Sequence, residues 1–342
     1  MFSIFGRQKR LLALDLGSRN VKVVEVAVRG GGLTVTGYGE ARVASDQDKV
    51  AAVHDIVTQR GLTRRTVSSL SGRSVIVRYI TLQPMPDAEV ANAVHAEAEK
   101  YIPFETDKVV VAFQKLETDP TSKEIKVVLV AVRRSVVDDH IAIVQAAGLE
   151  PVIIDIDIFA LANAFVMAKG LERGPDQAPK VRALIDLGAS KTCINIMRGS
   201  VSQFAREVYV AGNELISTLS KGLSVTPAEA EKIYHAPGDK MDQVVEILAP
   251  VLDDMGNEVR LSFEFYETQF DKPVEEVYLS GGASLLPNLE KFLERIFDVK
   301  TMRWDPTENM NFGLDGVGVE TVKQNSARLA IAVGLAARAL TS

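Results

Sequence analysis

With 342 residues, 46% of them apolar, the chain is long enough to bury more than one core, because single cores stop growing at roughly 250–300 residues. A formal net charge of −6 argues against nucleic acid as the main partner, since phosphate backbones are bound by basic patches. The one cysteine, Cys193, rules out a disulfide framework and predicts a reducing compartment, the cytoplasm by default.

No stretch supplies the ~20 apolar residues of a membrane span. Residues 1–10 lack the long apolar core and small-residue cleavage site of a signal peptide. Phe2, Ile4 and Phe5 beside three basic residues make a minimal membrane tether conceivable, against the plainer expectation of a frayed terminus.

The first predicted element is an apolar run from Leu11 that ends in Asp15, turns on Gly17 and resumes as Val21 to Val26, which reads as a β-hairpin with chemistry at its tip. A third strand, Leu33 to Tyr38, completes a meander. A parallel Rossmann unit would need a helix after its first strand, and both G-x-G-x-x-G and the P-loop pattern are absent.

Residues 41–148 read as an insertion with its own α+β core. Asp48 to Arg60 has helical spacing, with Gly61 as terminator. Ser74 to Ile80 alternates as a strand, and Asp87 is expected to cap a helix over 88–101 that breaks at Ile102-Pro103-Phe104. Strands at 109–115 and 126–132 and a helix over 135–147 follow, closed by Gly148. Next come a strand at 151–157, a helix over 159–168, and a Gly/Pro-rich interlobe linker over 170–179.

The meander then returns. Leu184-Ile185-Asp186-Leu187-Gly188 leads into Cys193 to Met197, with a third strand at 201–206, so the chain looks duplicated at an offset of 171 positions. In each copy a buried strand delivers an aspartate to a glycine turn, where backbone N–H groups can close on a phosphate oxygen. Ser18 and Lys22 serve the first turn and Ser190, Lys191 and Thr192 the second, while Asp15 and Asp186 are suited to a hydrated Mg²⁺ bridging phosphates. One such turn alone would read as an ordinary strand ending. Two favour a clamp on one triphosphate.

Beyond the second meander, helices are expected over 213–220, from Thr226 as cap with Pro227 in the first turn, and over 244–270 with a break or bend near Pro250. A buried strand from Val277 ends in Gly281-Gly282, followed by a helix over 287–297 and a last small-residue helix over 327–340 packed on the first lobe. His54, His95, His140 and His235 show no metal-ligand spacing.

These features together resemble the actin-like ATPase superfamily of actin, Hsp70, sugar kinases and bacterial filament proteins. The resemblance implies an α/β fold of two lobes, each with a mixed five-stranded sheet and helices, binding ATP and Mg²⁺ between them. Carried over by motif, Gly17, Ser18, Arg19, Asn20 and Lys22 form the first phosphate site, and Gly188, Ala189, Ser190, Lys191 and Thr192 the second. Gly281, Gly282 and Ala283 match the adenosine motif, Asp15 and Asp186 the metal ligands, and Asp157 the position that orients attacking water. Capping of a helix is the competing role for Asp157.

Narrower stretches, Val21 to Val26, Ile102-Pro103-Phe104, Ala146 to Pro151 and Glu258 to Tyr266, resemble the PilM family, FtsA-like cytoplasmic proteins of type IV pilus assembly. In that family the insert is an SHS2-like subdomain, and the cleft between it and the first lobe holds the N-terminal peptide of PilN, a bitopic membrane protein. The implied subdomains are 1–40, 149–179 and 325–342 for the first lobe, 41–148 for the insert, 180–212 and 272–324 for the second lobe, and 213–271 for a helical subdomain. Membrane contact would then be indirect, through the partner at the inner face of the inner membrane.

Departures from the family pattern matter. The family's Ala-Glu-x-x-Lys, whose lysine reaches the ribose or adenine, reads Ala230-Glu231-Lys232-Ile233-Tyr234, so Glu231 remains as a nucleotide-binding residue while Tyr234, in the lysine's place, either packs on adenine or relaxes purine selectivity. Arg19, in place of a small hydroxyl residue, either adds charge to the terminal phosphate or blocks it. Two other readings compete with a nucleotide-dependent adaptor. One is a kinase or Hsp70-like ATPase of ordinary turnover; the other is an FtsA-like filament former of cell division or type II secretion, which would self-associate. Against the last, the sequence ends at Leu340-Thr341-Ser342 after an interior-type helix rather than an amphipathic one.

Overall fold

The computed structural model describes residues 10–118, 123–170 and 179–340. The expected tether at Phe2, Ile4 and Phe5, and most of the expected linker, lie outside the described residues. In chain order the first part comprises β1 (Arg10–Leu16), β2 (Asn20–Arg29), β3 (Gly32–Arg42), α1 (Asp46–Arg60), β4 (Arg65–Leu70), β5 (Val75–Leu82) and α2 (Asp87–Tyr101). It continues with β6 (Val109–Thr118), β7 (Ile125–Arg133), α3 (Arg134–Ala146), β8 (Glu150–Ile156) and α4 (Asp157–Lys169). The second part has β9 (Val181–Leu187), β10 (Thr192–Arg198), β11 (Val201–Val208), α5 (Gly212–Leu223), α6 (Pro227–His235) and α7 (Met241–Phe270). It ends with β12 (Glu276–Ser280), α8 (Leu289–Phe297), β13 (Thr301–Arg303), β14 (Asn311–Phe312), α9 (Gly316–Gln324) and α10 (Ala330–Ala336).

The duplication is visible in the topology. The second sheet runs β11-β10-β9-β12-β13, an antiparallel meander with two parallel strands added at its first strand. The first sheet repeats this plan as β3-β2-β1-β4-β8, and the short parallel β14 makes it six-stranded rather than five. A third, antiparallel sheet of order β5-β7-β6 stands apart.

Strand alternation sets the cores of the first sheet. Leu11 and Ala13 face α4 and α10, whereas Leu12 and Leu14 face α1 and α3. The second sheet packs Ala183, Ile185 and Leu187 against α5 to α8. Its other face meets α4, where Asn195 Nδ2 donates to the Ile158 carbonyl at 2.8 Å, so α4 joins the lobes. At the crossing of α10 on α4, a Cβ on Gly334 would stand 1.7 Å from the Ala160 carbonyl oxygen, which only glycine allows.

The expected insert boundary moves. α1 and β4 belong to the first lobe, because Val53, Ile56 and Val57 bury with Leu12, Leu14 and Val23, and β4 pairs in parallel with β1 and β8. The segment with its own core is β5 to β7, where Ile80, Val94, Ala98 and Leu129 pack together with Ile102 of the Ile-Pro-Phe corner. Phe104 of that corner lies under the Arg133 guanidinium, 4.1 Å from its ring centre.

Other local expectations are revised. Asp87 is the first helical residue of α2 rather than its cap, which is Pro86. α7 runs unbroken through Pro250, held by buried Val244, Leu248, Leu252 and Val259 on one face. The last helix is α10 flanked by 3₁₀ turns over Ser326–Leu329 and Ala337–Leu340, a common way for helix ends to tighten. By contrast α6 starts as its sequence requires: the Thr226 hydroxyl accepts from the Glu229 N–H and the Glu229 carboxylate accepts from the Thr226 N–H.

Candidate functional site

The tips of the two meanders face one cleft of about 500 Å³. Strand register builds each tip. Asp15 lies directly opposite Lys22 across β1 and β2, and Asp186 lies directly opposite Cys193 across β9 and β10. The two turns use glycine for one reason: a Cβ on Gly17 would come 2.5 Å from the Asn20 carbonyl oxygen, and on Gly188 2.7 Å from that of Lys191. At the third corner Gly281 has φ +88° and its Cβ would stand 2.4 Å from the Leu187 oxygen.

The elbows are alike in backbone but not in charge. In the first, Lys22 Nζ donates to Asp15 Oδ2 at 2.7 Å with both side chains largely buried. Burial by itself would depress the Lys22 pKa, but Asp15, with Asp186 and Glu40 further off, holds it above the usual lysine value. The second elbow has a thiol where the first has the ammonium. Burial accordingly pushes Asp186 up to about 6, only partly offset by the Ser280 hydroxyl donating at 2.8 Å and by the more distant Lys22.

Asp157 is the first residue of α4 and does not cap it; the cap is Ile156, with no side-chain bond. Its carboxylate instead accepts from the Ser69 hydroxyl at 2.5 Å and from Lys191 at 2.8 Å, an ion pair between the lobes. Although burial works the other way, Lys191, Ser69 and Ser71 hold Asp157 below the ordinary aspartate range. Lys191 also donates to Glu207 at 2.8 Å, and these carboxylates keep it protonated despite its burial.

At the mouth, Glu231 on α6 is held by Arg19 at 3.2 Å and by Arg42 at 2.7 Å, so Arg19 is turned toward the opposite lobe. Tyr234 is buried and its hydroxyl donates to the Ala283 carbonyl at 2.6 Å, tying α6 to the Gly281-Gly282 corner.

Of the residues singled out by sequence, Asp15, Gly17, Ser18, Arg19, Asn20, Lys22, Asp157, Asp186, Gly188, Ala189, Ser190, Lys191, Glu231, Tyr234, Gly281, Gly282 and Ala283 all line this cleft. Thr192 does not. It is fully buried and its hydroxyl donates to the Val210 carbonyl at 2.8 Å, because in a strand it points away from the faces of Lys191 and Cys193. Sequence reading missed Glu40, Arg42, Ser71, Gly72, Gly212, His235 and Arg328. Two had a signal: His235 lies one helical turn beyond Glu231, and Arg42 pairs with Asn20 once the meander register is drawn. Arg328 carries no local pattern; 288 positions along the chain from Glu40, it meets that carboxylate at 3.7 Å only in the fold.

Comparison with known proteins agrees with this geometry. A solved PilM-PilN type IV pilus biogenesis complex is similar at 25% identity with a TM-score of 0.81, covering 96% of this chain and 98% of the other. The ethanolamine utilization protein EutJ from Carboxydothermus hydrogenoformans is similar at 13% identity and TM-score 0.59, over 96% and 89% of the two chains. MreB 5 of Spiroplasma citri bound to AMPPNP is similar at 13% identity and TM-score 0.52, over 95% and 94%. The fold is therefore that of the actin-like ATPases. The model of the type IV pilus assembly protein PilM matches residues 13–340, and the chain belongs to that family.

Proposed function

We propose that the protein is a nucleotide-binding adaptor of the type IV pilus inner-membrane assembly complex, working at the cytoplasmic face of that membrane. The observation that carries this is the pair of matched elbows, Asp15-Leu16-Gly17 and Asp186-Leu187-Gly188, facing one cleft. Their donor set fits Mg·ATP. Two carboxylates are what Mg²⁺ ordinarily takes from a protein when phosphates and water complete its shell. The metal would shield the phosphates; Lys22, Lys191 and the turn amides would hold them, and Gly281 and Gly282 would let the backbone approach the adenosine.

The Asp157 environment favours an adaptor over an enzyme of ordinary turnover. A general base works best with a pKa near the operating pH, whereas Asp157 is held low and already engaged by Ser69 and Lys191. The partner in this reading is a PilN-like bitopic membrane protein, whose short N-terminal peptide would lie between the first lobe and the insert. Membrane association then needs no span of its own; no described helix is long and apolar enough to cross a bilayer.

One calorimetric titration tests both halves. Mg·ATP, and then the partner peptide, should each bind with about one-to-one stoichiometry. No heat with nucleotide removes the cleft assignment, and no heat with peptide removes the adaptor role.

A further inference from the structure

We propose that Glu207 is a positioning residue that transmits the presence of a terminal phosphate in the cleft to the insert. The proposal rests on the nucleotide-binding reading and adds a residue and a direction to it. Glu207 is not part of the cleft lining. It sits on β11 of the second lobe, one oxygen 2.8 Å from Lys191 and the other accepting from the backbone N–H of Gly72 at 2.9 Å. Gly72 belongs to the four residues that lead from β4 of the first lobe into β5 of the insert, with φ +85°.

A fault in pairing aims this strand at the insert. Phe204 pairs with Ile196 but Ser202 pairs with Met197, so Gln203 is an extra residue and the alternation of β11 shifts there. Gln203, Phe204 and Arg206 consequently reach α7, at Tyr266, Phe265 and Glu258. Ser202 and Glu207, five positions apart, share the other face. Ser202 meets the Tyr79 hydroxyl of β5 at 2.8 Å, and just beyond the strand Tyr209 lies under Arg73, 4.6 Å from its ring centre. The insert grows from the first lobe but is held by the second.

Lys191 is what both sides share. Its ammonium bridges Asp157 of one lobe and Glu207 of the other, and it stands in the second phosphate elbow. A terminal phosphate placed against that elbow competes for it. The carboxylate with the weaker remaining support is the one displaced, since two like charges in a largely buried site repel strongly. Asp157 keeps the hydroxyls of Ser69 and Ser71. Glu207 keeps the single N–H of Gly72, with the Tyr209 hydroxyl at 3.5 Å and the Cys193 thiol at 3.9 Å. Glu207 therefore swings out and Gly72 is released, while Tyr79 on Ser202 remains as the fulcrum about which the insert tilts. A diphosphate leaves Lys191 where it is. Because coupling is reciprocal, whatever binds beside the insert changes the preference for tri- over diphosphate by the same factor.

Hydrogen exchange over residues 71–82 of the full chain tests this, with Mg²⁺ plus either AMPPNP or ADP, and with binding of each followed by calorimetry. The wild type should exchange several-fold faster in this segment with AMPPNP than with ADP. Glu207→Gln still accepts from Gly72 but carries no charge to be repelled; it should lose that difference while ADP affinity stays within threefold. Glu207→Ala should exchange fast with either nucleotide. Equal exchange with AMPPNP and ADP in the wild type, or an unchanged difference in Glu207→Gln, overturns the proposal with the cleft assignment intact. Absence of AMPPNP binding by calorimetry overturns the cleft assignment and this proposal with it.

Discussion

Replacing Asp186 by Asn should make the empty protein more stable while abolishing Mg·ATP binding. Asp186 is pushed from an ordinary 3.8 to about 6, chiefly by burial, because Cys193 stands where the first elbow has Lys22. A carboxylic acid whose folded-state pKa is raised holds its proton more tightly when folded. Below 3.8 both states are protonated and nothing is lost; stability then falls as pH rises through 6, and above that the full cost is present. At about 1.4 kcal/mol per pH unit this amounts to roughly 3 kcal/mol at neutral pH, an upper bound because the group lines an open cleft. Asn keeps an oxygen for the Ser280 hydroxyl and carries no charge to desolvate. Thermal unfolding at pH 7.5 should therefore show a midpoint several degrees above wild type, with the gap narrowing to roughly a third at pH 4.5 and closing below 3.8. A midpoint equal to or below wild type at pH 7.5, or a gap that persists in acid, would refute the account of Asp186 as a strained, functional carboxylate.

Other substitutions probe the frame around the cleft. Gly334→Ala forces a methyl to within 1.7 Å of the Ala160 oxygen, so α10 and α4 must separate; denaturant unfolding should register a loss of about 3 kcal/mol or failure to fold. Thr226→Ala removes one side of the α6 capping box and should cost about 1 kcal/mol in the same assay. Arg42→Ala loosens the mouth pair with Glu231. Because Arg42 is exposed, stability should change by less than about 1 kcal/mol, yet stopped-flow association of Mg·ATP should be faster; an unchanged rate would mean that the pair does not gate entry.

Both meanders and their acidic glycine turns were legible locally. An aspartate ending a buried strand, a glycine turn and the 171-residue offset are properties of short stretches, and strand alternation is enough to bring Asp15 and Lys22 together. The Thr226 cap and the Gly61 stop were legible for the same reason, since each depends on three or four adjacent residues. The insert boundary was not. α1 and β4 look self-contained in sequence, and only parallel pairing of β4 with β1 and β8, contacts made across long separations, assigns them to the first lobe. Pro250 misled because helix propensity is weaker than the burial of a whole face of α7.

The sequence by itself determined that two acidic glycine turns exist and that each ends a buried strand, because those facts follow from neighbouring residues and the period of a strand. Tertiary structure alone decided that the turns face one cleft, that Lys191 is shared between Asp157 and Glu207, and that the second lobe grips the insert. Each of these joins residues that are far apart along the chain, and such pairings are fixed by how the sheets stack on α4, which no local pattern encodes.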